Sequence, residues 1–241
     1  MVIKIKDLKK EYKDVVAVDN LNLEIFEGEL FALLGVNGAG KTTTIKMLST
    51  LVKPTDGDAT IYGHSINSQI DKIKSLIDVS FQETSIARRL TVEENIVFYS
   101  RLCGHNKNKT AEIKNYLFNT FGFEQVKSKQ ASKLSGGWQR KLSVALSLIS
   151  EPKVLFLDEP TLGLDVIARR ELWQVISSLK NKMTVILTTH YMEEAEALAD
   201  RIGIMKDGKL LFVGNQQELY SLTGKDNVEN AFIELVTGGN K

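Results

Sequence analysis

Gly35, Gly40, Lys41 and Thr42 satisfy the spacing G-x-x-x-x-G-K-[ST] inside the stretch GVNGAGKTTT, residues 35–44. Residues of these types at this spacing can hold phosphate. The glycines let the backbone turn with its N–H groups pointing inward, and the start of a following helix adds unpaired donors of its own. Lys41 would then place a point charge on the outer phosphates of a nucleoside triphosphate, and the Thr42 hydroxyl would ligate Mg2+. Asn37, Gly38, Ala39 and Thr43 are counted with them as nucleotide-binding positions of the same turn. A second chemical component is VLFLDEP, residues 154–160. Asp158 closes an apolar run and could hold Mg2+ through water, while Glu159 beside it could polarise an attacking water.

Both components need rigid elements under them. LFALLG at 30–35 is almost continuously apolar, as a central parallel strand covered on both faces would be, and KTTTIKMLSTL after it reads as a helix with Ile45, Leu48 and Leu51 on one side. The phosphate turn is therefore expected between a strand and a helix. Alternating apolar patterns predict half-buried strands over 2–6 and 21–26, and further strands are expected at 59–62 and 77–81, after a turn at KPTDGD. Residues 84–133 carry helical runs near 91–103 and 110–120 without a convincing strand, and read as an inserted helical subdomain. Leu142, Ala145, Leu146 and Ile149 are spaced i, i+3, i+4, i+7 in a helix over 137–150. Buried strands at 154–158 and 183–190 flank a helix from about 166 to 180, and strands at 201–206 and 209–213 precede two terminal helices. The expected fold class is α/β: a core with a mainly parallel sheet, an N-terminal antiparallel β part and an inserted α-helical subdomain.

At 241 residues, 43% hydrophobic and 25% charged, the chain suits one sizeable domain, with a core of residues 1–83 and 134–241 around the insert. Net charge of +1 gives no support for a nucleic-acid partner. The single Cys103 excludes an internal disulfide. MVIKIKDLKKEYK at the N-terminus interleaves lysine with its apolar residues and lacks the composition of a secretory signal. No apolar run approaches the roughly 18 residues that would span a bilayer, so action at a membrane would need membrane segments on another chain.

LSGGWQRKLSVALSL at 134–148, shortly before VLFLDEPTLGLD, closely resembles the signature region of ATP-binding cassette ATPases, and the likeness extends over nearly the whole chain. The resemblance implies a P-loop nucleotide hydrolase fold, with ATP and Mg2+ bound and ATP hydrolysed. It also implies roles at further positions. Tyr12 matches the aromatic that stacks on adenine, and Gln82 the glutamine that senses Mg2+ and the attacking water. Asp165 matches the aspartate of a loop crossing a dimer interface, and His190 the histidine that contacts the γ-phosphate. Ser135, Gly136 and Gly137 would open a helix whose bare N–H groups form an anion site. Since one complete phosphate turn is already present, that site suggests a partner's γ-phosphate, in a head-to-tail dimer with two ATP molecules sandwiched between subunits. Trp138 stands where glutamine is frequent in the family, and Leu162 where the interface loop often has serine.

Within the family, PTLGLDVIARRELW, TTHYMEEAEALADRIGIMKDGKL and VENAFIELVTG look like the separate ATPase subunit of ABC-2 type exporters. That implies a second ATPase subunit, a copy or a paralogue, and an integral membrane permease that would hold the chain at the cytoplasmic face of the membrane. The groove near Gln82 and ETSIARRLTVEEN is the expected coupling surface. An importer ATPase and a regulatory ATPase acting on a soluble partner are the alternatives.

Overall fold

A computed structural model describes residues 1–238. β1 (Ile3–Tyr12) and β2 (Val15–Ile25) pair antiparallel. β3 (Leu30–Gly35) enters a second sheet and passes through the glycine turn into α1 (Lys41–Leu48). β4 (Asp56–Ile61) returns to pair with β1, with β5 (His64–Ser65) beyond it, so the first sheet has the order β2-β1-β4-β5. Then come α2 (Ile70–Lys74), β6 (Ile77–Ser80), α3 (Val92–Leu102), α4 (Lys107–Phe121), α5 (Gly136–Leu146), β7 (Val154–Asp158), α6 (Val166–Leu179), β8 (Thr184–Thr189) and α7 (Met192–Leu198). A hairpin of β9 (Arg201–Lys206) and β10 (Lys209–Gly214) precedes α8 (Gln216–Thr223) and α9 (Val228–Thr237). The second sheet has the order β10-β9-β3-β8-β7-β6, and all its pairings are parallel except β10 with β9. The fold is thus α/β with a mainly parallel sheet, an N-terminal antiparallel sheet and added helices, as the sequence leads one to expect.

Continuous apolarity in the central strands follows from coverage on both faces. Leu30, Ala32 and Leu34 of β3 enter one apolar cluster together with α3 to α7 and α9, whereas Phe31 and Leu33 enter the other, with β1, β2, β4 and α1. The same alternation divides Leu155 and Leu157 from Val154 and Phe156, and Val185 and Leu187 from Ile186. Parallel register brings Leu34 beside Thr189 and Asp158 beside Thr188, so β3, β7 and β8 end together. That shared carboxyl-terminal edge is where ligands bind in open α/β sheets.

Several boundaries differ from expectation. α1 stops at Leu48, and Leu51 is 58% exposed instead of sharing the face of Ile45 and Leu48. The reason is local: Thr50 takes a positive φ of 62°, and the N–H groups of Leu51 and Val52 fold back onto the Lys46 carbonyl. α5 ends at Leu146, yet Ile149 remains fully buried. β4 begins at Asp56, inside KPTDGD, and β1 continues through its lysines because one face of an antiparallel sheet can carry charge to solvent. The five-residue α2 has no counterpart in the sequence reading. Between residues 84 and 133 no strand forms, only an isolated bridge of Thr91 with Gln130. Thr91 caps α3 in a reciprocal box with Glu94. Asn95, fully buried, accepts from the Ala87 N–H and donates to the carbonyls of Ala87, Leu90 and Thr91, which fixes the segment before the helix. No helix among the described residues is long and apolar enough to cross a membrane. Residues 239–241 of the expected core lie outside the described residues.

Candidate functional site

The turn from β3 to α1 is built around positions that only glycine fits. A Cβ on Gly35 would lie 2.7 Å from the Met205 carbonyl oxygen and 2.8 Å from Ala39 Cβ. Gly38 and Gly40 have φ of 84° and 104°, and a Cβ on Gly40 would strike the Ala17 carbonyl oxygen. Lys41, 4% exposed, donates to the carbonyls of Gly35 (2.7 Å) and Val36 (3.1 Å) across the turn. Burial pulls its ammonium below the ordinary lysine range, and the charges of Glu159 and Asp158 oppose that.

Above the turn opens a cleft of about 490 Å³, walled by Tyr12, Ala17, Asn37, Gly38, Ala39, Gly40, Lys41, Thr42, Thr43, Gln82, Glu159, Leu162 and His190. Five separate segments of the chain therefore converge on one concavity. Tyr12, at the end of β1, is 43% exposed there, with Lys10 Nζ 4.9 Å from its ring centre. Asp158, buried at the end of β7, accepts from Thr42 Oγ1 at 3.0 Å and from Thr188 Oγ1 on β8. Glu159 takes φ 47°, unusual for a residue with a side chain. Its N–H donates to both oxygens of Thr188, the carbonyl and Oγ1, each at 3.1 Å. Held so, its carboxylate stands between two bases: Oε1 is 3.7 Å from Lys41 Nζ, and Oε2 is 3.1 Å from His190 Nδ1. The His190 contact misses hydrogen-bond geometry, which leaves Nδ1 buried without a hydrogen-bond partner.

Ser135, Gly136, Gly137 and Asp165 do not line this cleft. Ser135 is the exposed N-cap of α5, and its side chain makes no capping bond. Gly136 is open, whereas a Cβ on Gly137 would come 2.9 Å from Ala168 Cβ, so α5 and α6 approach closely there. Asp165 caps α6 through 2.9 Å bonds from the N–H groups of Ile167 and Ala168. Trp138 packs within its own chain: its ring centre is 6.1 Å from that of Phe123, and Lys141 Nζ lies 4.5 Å over the ring.

Arg140 is a part of the site that sequence reasoning missed. Its guanidinium, 4% exposed, donates to the carbonyls of Phe81, Gln82 (3.1 Å), Asp158 (2.8 Å) and Pro160 (2.7 Å). Burial lowers its pKa to about 10, against the pull of Asp158, Glu194 and Glu159. One buried cation thus ties α5 to the Gln82 segment and to both neighbours of Glu159. Thr188, which holds Asp158 and the Glu159 N–H, was also missed. Arg140 stands inside the glycine signature stretch and Thr188 at a strand end, but neither position alone signals its partners.

The oxygen donors fit Mg2+. Thr42 Oγ1 and Asp158 Oδ1 are 3.0 Å apart beneath the cleft, with Gln82 on its wall. A hydroxyl and one carboxylate are the few hard ligands that this ion accepts from protein when phosphate oxygens and water complete its shell.

Residues 18–162 match the family described as ABC transporter. The daunorubicin/doxorubicin resistance ATP-binding protein DrrA of Streptomyces peucetius is 39% identical over 225 residues, 93% of this chain and 68% of that protein. The chain belongs to the ABC transporter family. Within it, this is an ATP-binding cassette ATPase. Human phospholipid-transporting ATPase ABCA3 is 42% identical over 217 residues, 88% of this chain but only 13% of that protein, so this chain spans a small part of that relative. Among solved structures, the dimeric ATP-binding cassette MJ0796 in a post-hydrolysis state with ADP and Pi superposes with a TM-score of 0.79 at 26% identity, covering 88% of this chain and 98% of that one.

Proposed function

We propose that this ABC ATPase powers export through a separate membrane-spanning subunit, by ATP-driven closure of two cassettes followed by hydrolysis and reopening. The observation that carries the reading is the convergence of the glycine turn, Lys41, Thr42, Asp158, Glu159 and His190 at one sheet edge. Tyr12 would stack on the base. The turn from Gly35 to Thr43 would hold the phosphates, with Lys41 released from its two carbonyls to the β- and γ-phosphates. Bound at Thr42, Asp158 and Gln82, Mg2+ would neutralise phosphate charge. Glu159 would orient or activate the water, and its φ of 47° is the kind of local strain that persists at functional positions. His190 would contact the γ-phosphate from the other side of Glu159.

Ser135 and Gly136, exposed, and the partly buried Gly137 open α5 away from the chain's own cleft, and Asp165 caps the neighbouring helix, so these four would serve the nucleotide of a partner cassette. MJ0796, which is described as dimeric, supports such an assembly. The division into a core of 1–83 and 134–241 and a helical insert of 84–133 belongs to the same reading. In it the segment organised by Asn95, with Arg88 and Arg89 exposed, faces the permease at the cytoplasmic side of the membrane. DrrA, a drug-resistance ATP-binding protein, supports export.

Purification of the tagged chain from its own cells in mild detergent tests this assignment. Recovery of a polytopic membrane protein whose substrate leaves the cytoplasmic side on ATP addition is the expected result. Recovery of a soluble partner alone, or transport in the opposite direction, would replace export with regulation or import.

A further inference from the structure

Glu194, on α7, is a carboxylate with no exposed surface, four residues after His190. Its Oε1 accepts from Thr161 Oγ1 at 2.9 Å and from Trp173 Nε1 at 3.0 Å. Oε2 has no hydrogen-bond partner, although it is buried. Burying an acid with one oxygen unbonded costs stability, and burial raises its pKa, against the nearby hydroxyls of Thr189 and Thr161, the Trp173 indole and the charge of Arg169. An apolar residue would fill this place at lower cost, so the acid needs another reason to be here.

Its contacts supply one. Thr161, fully buried, lies two residues after Glu159, and the intervening turn is closed by the Leu162 N–H to the Glu159 carbonyl (3.2 Å). On the other side, the Glu194 N–H donates to the Tyr191 carbonyl at 3.2 Å, and the Tyr191 N–H to Thr189 Oγ1 at 2.9 Å, so the start of α7 is fastened around His190. The Thr161 bond therefore joins the turn that carries Glu159 to the helix that follows His190. Those two side chains approach to 3.1 Å.

We propose that Glu194 is a positioning residue for hydrolysis, which sets the placement of Glu159 relative to His190 through its hydrogen bond with Thr161. The proposal rests on the reading that Glu159 and His190 act at the terminal phosphate. Trp173, bonded to the same oxygen from α6, supplies the control: its loss weakens packing but leaves the Thr161 bond in place.

The test is steady-state ATPase kinetics with the purified chain, together with thermal melting and binding of a non-hydrolysable ATP analogue, for Thr161→Val, Glu194→Ala, Glu194→Gln and Trp173→Phe. Misplacement of a reacting group by a fraction of an ångström to 1 Å lowers kcat by about 10- to 100-fold. That loss is expected in Thr161→Val and Glu194→Ala, with KM and analogue affinity nearly unchanged. Glu194→Gln, which keeps an acceptor for Thr161, should recover most of kcat, and Trp173→Phe should lower the melting temperature with kcat intact. If Glu194→Ala fails to fold, Thr161→Val and Glu194→Gln decide. Parental kcat in Thr161→Val, or kcat falling in proportion to melting temperature across the set with Trp173→Phe included, would overturn the proposal. Glu159→Gln is assayed in parallel. Normal turnover in that variant would instead defeat the underlying reading.

Discussion

Glu159 has a basic neighbour on each side, Lys41 at 3.7 Å and His190 at 3.1 Å, and a backbone conformation that aims it into the cleft. Replacing it with Gln keeps the shape and the phosphate contacts but removes the group that would accept a proton from water. Glu159→Gln should therefore bind ATP normally and turn over about 10²-fold or more slowly, whereas Lys41→Ala should fail at binding. A phosphate-release assay beside an ATP-binding titration checks both, and near-normal turnover in Glu159→Gln would remove it from the reaction. Trp138, next to the α5 start, is also open to test. With Phe123 beside it and Lys141 over its ring, it is held by its own chain. In a Glu159→Gln, Trp173→Phe background, where it is the only indole, its emission and acrylamide quenching should stay constant as ATP is added. A change that tracks association of two chains would place it at their interface instead. The glycine turn and the acidic pair were legible because their chemistry is local in sequence. Arg140 and Glu194 were not, because each acts through backbone or side chains 18 to 59 residues away that only the fold brings near.

β3, β7 and β8 place the site by ending together, and their apolar runs made them readable in advance. The less regular elements were harder. α1 looked longer because Leu51 continues its apolar spacing, but the positive φ of Thr50 turns the chain first. β1 and β2 looked shorter because a sheet with one solvated face mixes charge into its strands. Edge strand β6 carries a test of local electrostatics away from the cleft. Burial raises the pKa of its Asp78, opposed by hydrogen bonds of 2.7 Å each from Ser150 Oγ and the Val79 N–H. The folded protein then keeps that proton to higher pH than the unfolded chain. Its contribution is present below the unfolded carboxylate range and is lost as pH rises through the folded value. Asp78→Asn should remove that loss, so the melting temperature of the variant relative to the parent should increase from about pH 4 to pH 7. A difference that does not change with pH would contradict the assignment.

Over the whole chain, the cleft above the glycine turn and the exposed start of α5 at Ser135 and Gly136 are separate places, and on the proposed reading each would take phosphate. Both were legible as motifs, since each is a run of neighbouring residues. That they would serve different nucleotides was expected from the resemblance; what the sequence did not show is the packing that keeps them apart, with α5 between α4 and α6 on the face of the sheet away from α1. On the proposed function, ATP is hydrolysed between two such chains, the glycine turn of one meeting the α5 start of the other. Sedimentation of Glu159→Gln, with and without saturating ATP, tests it most directly, because slow hydrolysis would let the closed pair accumulate. The expected result is a monomer without nucleotide, a dimer with ATP, and a monomer with ATP bound once Ser135→Arg is added. A chain that stays monomeric at saturating ATP, or a dimer untouched by Ser135→Arg, would contradict it.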